Sequence, residues 1–177
     1  MKTFDTPRLT LRPWTAEDLD DAYSTLIVEQ DNEPLTAEAV IEELQFDAAL
    51  AQQQLGERFA RLAIILKAEN KIIGTVVLMP VFCKAEELAL LYPDVRYNGV
   101  EVEIGFALSN HHRGQGYATE AARMLLEYGF RELKLARIVA FTRRDNPASM
   151  QVLRRLGMRL VEAADGRTVI AGLENTV

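Results

Sequence analysis

Alternating apolar and polar residues predict a strand near the start of the chain. The segment "TPRLTLRPW", residues 6–14, places Leu9 and Leu11 on one face and Arg8 and Arg12 on the other. A period of two residues is typical of a strand with one buried face. We therefore expect the two leucines in the core and the two arginines on the polar face.

Two amphipathic segments after this strand predict helices. The first begins at Thr15, with Asp18 three residues later, which approximates a capping box. The second begins at Thr36, shortly after Pro34, and its apolar periodicity continues to about Gly56. We therefore expect two helices before the next strand.

The middle of the chain predicts a hairpin, a loop and a strand. Two apolar runs, residues 58–69 and 71–82, are separated by Asn70 and predict a β-hairpin. Residues 83–99 contain a proline and end in an Asn-Gly pair, so we expect a loop with room for one short helical turn. Strict alternation then predicts a strand over residues 100–108.

Helices and strands alternate in the rest of the chain. The pattern predicts a helix over residues 118–133, a strand over 136–145, and a short helix over 146–157 that Gly157 ends. A final hairpin turns at Asp165–Gly166. The resulting order, β-α-α-β-β-β-α-β-α-β-β, predicts an α/β (α+β) protein with a central sheet and one domain throughout, residues 1–177.

Composition narrows the class of protein. A chain of 177 residues with 49% hydrophobic and 26% charged residues is typical of a globular domain with a substantial core. The net charge of −6 argues against DNA binding, which needs a basic surface, and favours cationic partners. The longest apolar run, residues 72–82, is too short to span a bilayer.

The N-terminus and the cysteine content indicate the compartment. The first residues turn polar at once and lack the apolar core of a secretory signal. Cys83 is the single cysteine, which excludes an intramolecular disulfide and any multi-cysteine zinc site. We therefore expect a cytoplasmic protein that does not bind membranes.

Residues 110–122, "NHHRGQGYATEAA", suggest an anion site between a predicted strand and a predicted helix. The first N–H groups of a helix lack intrahelical acceptors, and glycines such as Gly114 and Gly116 let a ligand approach them. Arg113 adds positive charge, and phosphates bind such helix ends. A tight turn without a ligand explains the glycines as well. Walker and dinucleotide loops are excluded, because Tyr117 follows Gly116 and no third glycine comes after it.

The adjacent histidines His111 and His112 allow three interpretations: solvated loop residues, a catalytic base or metal ligands. An ordinary imidazole titrates near pH ~6.5, which suits a base. A zinc site would need Asp, Glu or Cys83 as further ligands, and their spacing matches no zinc motif. We favour solvated loop residues and expect no metal.

Two successive motifs resemble those of a known family. The pattern R-G-x-G-Y-A-T-E-A over residues 113–121 is followed by a strand and by N-x-x-S-x-x-V-L-x-x-L-G-M over residues 146–158. Together they resemble the GNAT superfamily of acyl-CoA-dependent N-acetyltransferases, and most closely its ribosomal-protein-alanine N-acetyltransferases. The likeness includes the N-terminal strand and is weakest over residues 83–99. It implies a mixed, mostly antiparallel central sheet with a splayed strand pair and about four helices.

The resemblance implies that acetyl-CoA is the co-substrate. Its pyrophosphate would bind the loop in one of two registers, Arg113-x-x-Gly116-x-Ala118 or one that starts at His111. The strand before the loop would hold the pantetheine arm, with Gly105 easing a bulge. The residues expected to contact the cofactor are Phe106, Ala107, Leu108, Arg113, Gly114, Gln115, Gly116, Tyr117, Ala118, Thr119, Asn146 and Ser149.

Glu101 and Glu103 share one face of the strand over residues 100–108 and are candidates for a general base. Two glutamates in a central strand call for a reason, and neighbouring like charges raise one another's pKa. A solvent-exposed face would also explain them. We expect Glu103, nearer the thioester position that the resemblance implies, to be the base, with Glu101 as its substitute. A water relay is compatible with both.

The proton donor of the resembling family is missing. Many of its members place a tyrosine where this chain has Leu153, and the resemblance instead places Ser149 near the CoA sulfur. Asn146 would then bind the pantetheine, although Asn146 followed by Pro147 is also a good helix N-cap. Both roles are compatible.

The resemblance implies an acetyl-CoA-dependent N-acetyltransferase that acts on a primary amine by direct transfer in a ternary complex. The acceptor would be a protein N-terminus or a small molecule, and the enzyme a monomer or homodimer. Direct transfer needs no covalent enzyme, so we expect Cys83 to serve packing. The missing tyrosine leaves an alternative, a catalytically silent CoA-binding or ligand-sensing module. Arg8, Arg12 and Trp14 would border the acceptor groove or be the polar face of an edge strand.

Overall fold

The computed structural model of the protein describes residues 2–18 and 59–176. In these ranges eight strands form one mixed sheet in the order β1-β2-β3-β4-β5-β6-β8-β7. The strands are β1 (Phe4–Asp5), β2 (Leu9–Pro13), β3 (Ala60–Leu66), β4 (Lys71–Cys83), β5 (Gly99–Leu108), β6 (Arg137–Arg143), β7 (Arg159–Glu162) and β8 (Thr168–Glu174). The helices are α1 (Ala85–Leu88), α2 (Tyr117–Arg131) and α3 (Pro147–Arg155), with 3-10 turns at Ala16–Asp18 and Asn110–His112.

The α/β fold class with a mixed, mostly antiparallel sheet is confirmed. Four neighbouring pairs, β1–β2, β2–β3, β6–β8 and β7–β8, are antiparallel, whereas β5 and β6 run parallel. Within the described residues the β5–β6 pairing consists of Glu103 opposite Val139, which fits the expected splayed pair. The helix predicted over residues 36–56 lies outside the described residues, as does the helix from Thr15 beyond its first 3-10 turn.

The described chain forms two compact units. The first comprises Met1–Val77 and Phe106–Met124, and the second comprises Leu78–Gly105 and Leu125–Val177. The expectation of a single domain over residues 1–177 stays a prediction.

The N-terminal strand of the first unit has the faces that its alternation predicts. Leu9 and Leu11 are fully buried, and Leu11 lies opposite Ile64 of β3. Burial of one leucine side chain contributes about 1.5–3 kcal/mol of hydrophobic free energy, so these two residues anchor β2 on the sheet.

The turn after β2 forms half of the expected capping box. The Asp18 carboxylate accepts hydrogen bonds from the Thr15 N–H (2.7 Å) and hydroxyl (2.9 Å). Arg12 also donates two hydrogen bonds to it, at 2.6 and 2.8 Å. The Arg12 hydrogen bond, opposed by burial and reinforced by Thr15, lowers the pKa of Asp18 to about 2. Arg12 is therefore held by the N-terminal turn.

Close backbone approach in the first unit explains a glycine that the sequence pattern did not single out. A Cβ on Gly74 of β4 would lie 2.2 Å from the Ala107 carbonyl oxygen of β5. Only a residue without a side chain fits this contact.

Residues 83–99, predicted to be a loop with room for one helical turn, belong to the second unit. Residues 83–99 form the expected short helical turn, α1, and Leu88 packs with Cys83 and Val139 in a buried cluster. Cys83 itself is the last residue of β4 and does not belong to the loop. The predicted turn residues Gly157 and Gly166 have φ of 83° and 67°, which favours glycine at both positions.

Candidate functional site

The glycine loop of the first unit has the conformation that an anion site needs. Gly114 and Gly116 have φ of 75° and 84°, and α2 begins at Tyr117 directly after them. The Glu120 N–H donates to the Gly116 carbonyl at 3.0 Å. This is the first hydrogen bond of the helix, so the N–H groups of residues 117–119 have no acceptor within the helix. They lie at the positive end of the helix dipole. A phosphate group fits such a helix end.

Arg113 is held against the end of β5. Its N–H donates to the Asn110 carbonyl at 3.3 Å, and its Nε donates to the Leu108 carbonyl at 3.1 Å. The 3-10 turn thus already uses the Arg113 N–H. The backbone donors of the loop therefore begin after Arg113.

The two histidines of the loop differ from each other. His111 is exposed, as expected of a solvated residue. His112 is half-buried, its Nδ1 lies 2.6 Å from the Ser109 hydroxyl, and its Nε2 lies 3.5 Å from the Glu69 carboxylate. His112 therefore connects the loop to Ser109 and Glu69. Among residues 2–18 and 59–176, no three His, Cys, Asp or Glu side chains are grouped to hold a metal ion.

An unexpected ion pair joins Arg8, the residue before β2, to the first turn of α2. Arg8 Nε lies 2.6 Å from Glu120 Oε2, and Arg8 Nη1 donates to the Gln115 carbonyl at 3.0 Å. The Arg8 guanidinium also lies 4.5 Å from the centre of the Tyr117 ring. The Glu120 carboxylate accepts further bonds from the Thr6 hydroxyl (2.6 Å) and the Arg8 N–H (2.9 Å). These contacts place Arg8 against the proposed pyrophosphate loop.

The two candidate bases lie in the second unit, on β5. Glu101 and Glu103 are partly buried and Val102 and Ile104 are buried, as the alternation predicts, whereas Val100 at the start of the strand is exposed. Glu101 accepts a hydrogen bond from Arg137 Nε at 2.9 Å and a second, short one from Arg137 Nη2. Glu101 thus forms a close ion pair with Arg137, and the choice of Glu103 as the base stays a prediction.

Arg137 also contacts Tyr92, which lies within residues 83–99. Its guanidinium lies 4.8 Å from the centre of the Tyr92 ring. Burial raises the pKa of Tyr92, and its buried hydroxyl has no hydrogen-bond partner in the described part of the chain. A Cβ on Gly172 would lie 2.3 Å from that hydroxyl, so Gly172 makes room for Tyr92.

The start of α3 brings Asn146 and Ser149 together. The Asn146 side chain accepts a hydrogen bond from the Ser149 N–H at 3.0 Å, and Pro147 occupies the first helical turn. The N-cap role of Asn146 is thus confirmed, while its contact with pantetheine stays a prediction. Leu153, at the position of the family's tyrosine, is 1% exposed and packs in the core.

Cys83 is close to both glutamates but is not activated. Burial, followed by the nearby charge of Glu101, raises the pKa of its thiol to about 11. A nucleophilic cysteine needs a lowered pKa, because the thiolate is the reactive form. This environment fits the packing role expected of Cys83.

Sequence reasoning missed Arg8 and Glu120 as loop partners and Arg137 and Tyr92 as partners of Glu101. Each pair joins residues far apart in the chain, and periodicity reports only on neighbours. The sequence contains one signal for Glu120. A carboxylate in the first turn of a helix whose N-terminus is expected to bind phosphate would repel that phosphate unless a cation pairs with it.

The chain is an α/β protein with a mixed sheet and a glycine loop directly before a helix N-terminus. Residues 8–159 match the family model described as "Acetyltransferase (GNAT) domain". This match spans more than half of the chain, so the chain belongs to the GNAT acetyltransferase family, as the resemblance implied.

Two curated bacterial proteins are similar to the chain. The uncharacterized N-acetyltransferase p20 of Bacillus licheniformis is 30% identical over 96% of this chain and 92% of its own length. The uncharacterized N-acetyltransferase YnaD of Bacillus subtilis is 31% identical over 63% of this chain, and the match spans 56% of YnaD, about half of that relative.

A solved structure supports the fold. RimL, a ribosomal L7/L12 alpha-N-protein acetyltransferase in complex with coenzyme A, matches with a TM-score of 0.70 and 18% identity, over 98% of each chain. At this identity the likeness concerns the fold. Within the described ranges, no helix is long and apolar enough to cross a membrane.

Proposed function

We propose that the protein is an acetyl-CoA-dependent N-acetyltransferase that acetylates a primary amine by direct transfer. The observation that carries this proposal is the glycine loop, with two positive φ angles directly before α2, in a member of the GNAT family. Acetyl-CoA supplies an activated acetyl thioester. The N–H groups of residues 114–119 would hold its pyrophosphate, and the backbone of residues 106–108 would hold its pantetheine arm.

Glu103 is the proposed base. An amine must be neutral to attack a carbonyl, and a lysine-like amine has a pKa of about 10.4, whereas a protein α-amine has about 7.7–8.0. The Glu103 carboxylate, directly or through water, takes the proton that the amine loses as the nitrogen–carbon bond forms. A positioned base is typically worth about 10²–10⁴ in rate.

Ser149 is the proposed hydrogen-bond donor to the sulfur. The carbon–sulfur bond breaks during transfer, and the leaving sulfur gains negative charge and then a proton. Asn146 fixes the first turn of α3 and so fixes the Ser149 backbone. The Ser149 hydroxyl would stabilise the developing charge, while the final proton comes from solvent.

The acceptor is a primary amine, of a protein N-terminus or of a small molecule. RimL acts on the N-terminus of a ribosomal protein, and the fold that it shares with this chain supports an N-terminal amine as one candidate. The net charge of −6 supports cationic acceptors in general.

A thiol-release assay tests this function. The protein is incubated with acetyl-CoA and, separately, with short peptides that have a free N-terminus, a polyamine, an aminoglycoside and an amino-acid amide. We expect release of free CoA thiol that depends on both protein and amine. Binding of CoA without release for any amine would favour the silent CoA-binding module, and absence of CoA binding would overturn both functions.

A further inference from the structure

Arg8 connects the N-terminal strand to the loop in which we place the pyrophosphate. Its guanidinium binds the Gln115 carbonyl and the Glu120 carboxylate, at 3.0 and 2.6 Å. Its Nη2 would lie 3.5 Å from a Cβ placed on Gly116. All of these residues belong to the first unit. One side chain thus touches both the turn with positive φ and the first turn of α2.

Glu120 is an unfavourable residue for a diphosphate site. Its carboxylate lies in the first turn of α2, where the helix dipole attracts anions and where a bound pyrophosphate would repel it. The structure holds this carboxylate with three donors, the Thr6 hydroxyl, the Arg8 N–H and Arg8 Nε. With 16% of its side chain exposed, Glu120 is only weakly screened by solvent.

We propose that Arg8 is a positioning residue for acetyl-CoA, which neutralises Glu120 and fixes the Gln115–Gly116 peptide so that the loop accepts a diphosphate. This inference rests on the proposed function. It assigns Arg8 to the binding of the co-substrate, in place of the acceptor groove for which Arg8 was a candidate. Arginine suits this arrangement, because its planar guanidinium donates to the Glu120 carboxylate and to the Gln115 carbonyl at the same time. The single ammonium group of lysine does not suit it.

The Arg8→Met variant tests this role, because methionine keeps much of the aliphatic stem and removes the charge and the donors. We expect Kd for coenzyme A, measured by calorimetry, to rise about tenfold, because the variant leaves the Glu120 carboxylate uncompensated beside the diphosphate. We expect the KM for acetyl-CoA to rise similarly, with kcat nearly unchanged. The kcat/KM for acetyl-pantetheine, which lacks the diphosphate, should stay at the wild-type value.

A second substitution separates neutralisation from direct phosphate contact. In the Arg8→Met, Glu120→Gln double variant no uncompensated carboxylate remains, so we expect affinity for coenzyme A to recover to within about threefold of wild type. No recovery in the double variant would contradict neutralisation of Glu120 by Arg8.

Arg12 provides the matched control, because it lies close by in the chain, on β2, and pairs with a carboxylate that is not part of the loop. Arg12→Met should lower the melting temperature and leave Kd for coenzyme A unchanged. If Arg8→Met does not fold, Arg8→Lys replaces it, with a smaller rise in Kd expected. Wild-type protein that fails to bind coenzyme A would refute the proposed function. Wild-type binding with unchanged affinity in the Arg8 variants would refute this inference alone.

Discussion

At the scale of single residues, the structure gives the two glutamates of β5 different surroundings. Glu101 is bound by both ends of the Arg137 guanidinium, which itself stacks on Tyr92. Glu103 lies opposite Val139 on the neighbouring strand. The sequence places both side chains on one face, and the fold adds that Glu101 pairs with Arg137.

Substitution of the two glutamates should therefore affect different properties. We expect Glu103→Gln to lower kcat by about tenfold or more, the low end of a positioned base, with Kd for coenzyme A nearly unchanged. Glu101→Gln should instead destabilise the fold by about 1–3 kcal/mol, because it leaves the half-buried Arg137 without its ionic partner. Steady-state kinetics and chemical denaturation measure the two effects. If the Glu103→Gln variant had the same kcat as the wild-type protein, Glu103 would not be the base.

Cys83 should be chemically inert at neutral pH. Its thiol is buried and has a pKa raised to about 11, so the thiolate fraction at pH 7.5 is very small. We expect the native protein to react with a thiol-specific reagent far more slowly than the unfolded protein does, and Cys83→Ala to keep its acetyl-transfer kcat. Loss of kcat in a folded Cys83→Ala protein would instead indicate a covalent mechanism.

At the scale of elements, periodicity and turn residues were enough to predict most of the described strands and helices. Leu9 and Leu11 lie in the core, α1 falls in the loop where one helical turn was expected, and Gly157 ends α3. These features depend on residues close in the chain. The contact of Gly74 with the Ala107 carbonyl depends on which strands become neighbours, and local patterns do not contain that information.

The glycine loop can be tested at the scale of one turn. Gly116→Val puts a β-branched side chain at φ 84° and toward Arg8, so we expect weaker binding of coenzyme A by about tenfold or more. Gly99→Val is the matched control, since a Cβ there meets no atom within 4 Å. It should leave affinity for coenzyme A at the wild-type value. Equal affinity in both variants would contradict the assignment of the loop.

Gly74→Ala tests the close approach of β4 and β5. The added Cβ would lie 2.2 Å from a backbone oxygen, which cannot move as a side chain can. We expect a loss of about 1–3 kcal/mol in the free energy of unfolding, as for other overpacked sites. Gly99→Ala again serves as control and should change stability little. A Gly74→Ala protein as stable as wild type would contradict this contact.

At the scale of the whole molecule, the acidic composition links stability to pH. The chain has 26 acidic and 20 basic residues, and several carboxylates accept hydrogen bonds in the folded state. Among residues 2–18 and 59–176, hydrogen bonds or paired cations lower the pKa of Asp5, Asp18, Glu120, Asp145 and Asp165. For Glu120, burial raises the pKa, and the bonds from Thr6 and Arg8 more than offset this. Folding therefore favours the charged forms, and acid should destabilise the protein.

Asp18 shows this dependence most clearly, because its pKa falls from 3.8 to about 2 and its side chain is only 9% exposed. A group whose pKa is lowered by folding stabilises the protein above its unfolded pKa and loses that effect as pH falls toward its folded pKa. The difference corresponds to about 2 kcal/mol, so Asp18→Asn should cost about that at pH 7. Denaturant titrations from pH 7 to pH 3 should show this cost shrinking below about pH 4.

Asp145→Asn, which removes an exposed pair with Arg143, is the control and should leave the denaturation midpoint near wild type at every pH. A cost for Asp18→Asn that stays constant down to pH 3 would show that Asp18 acts by packing and not by its charge.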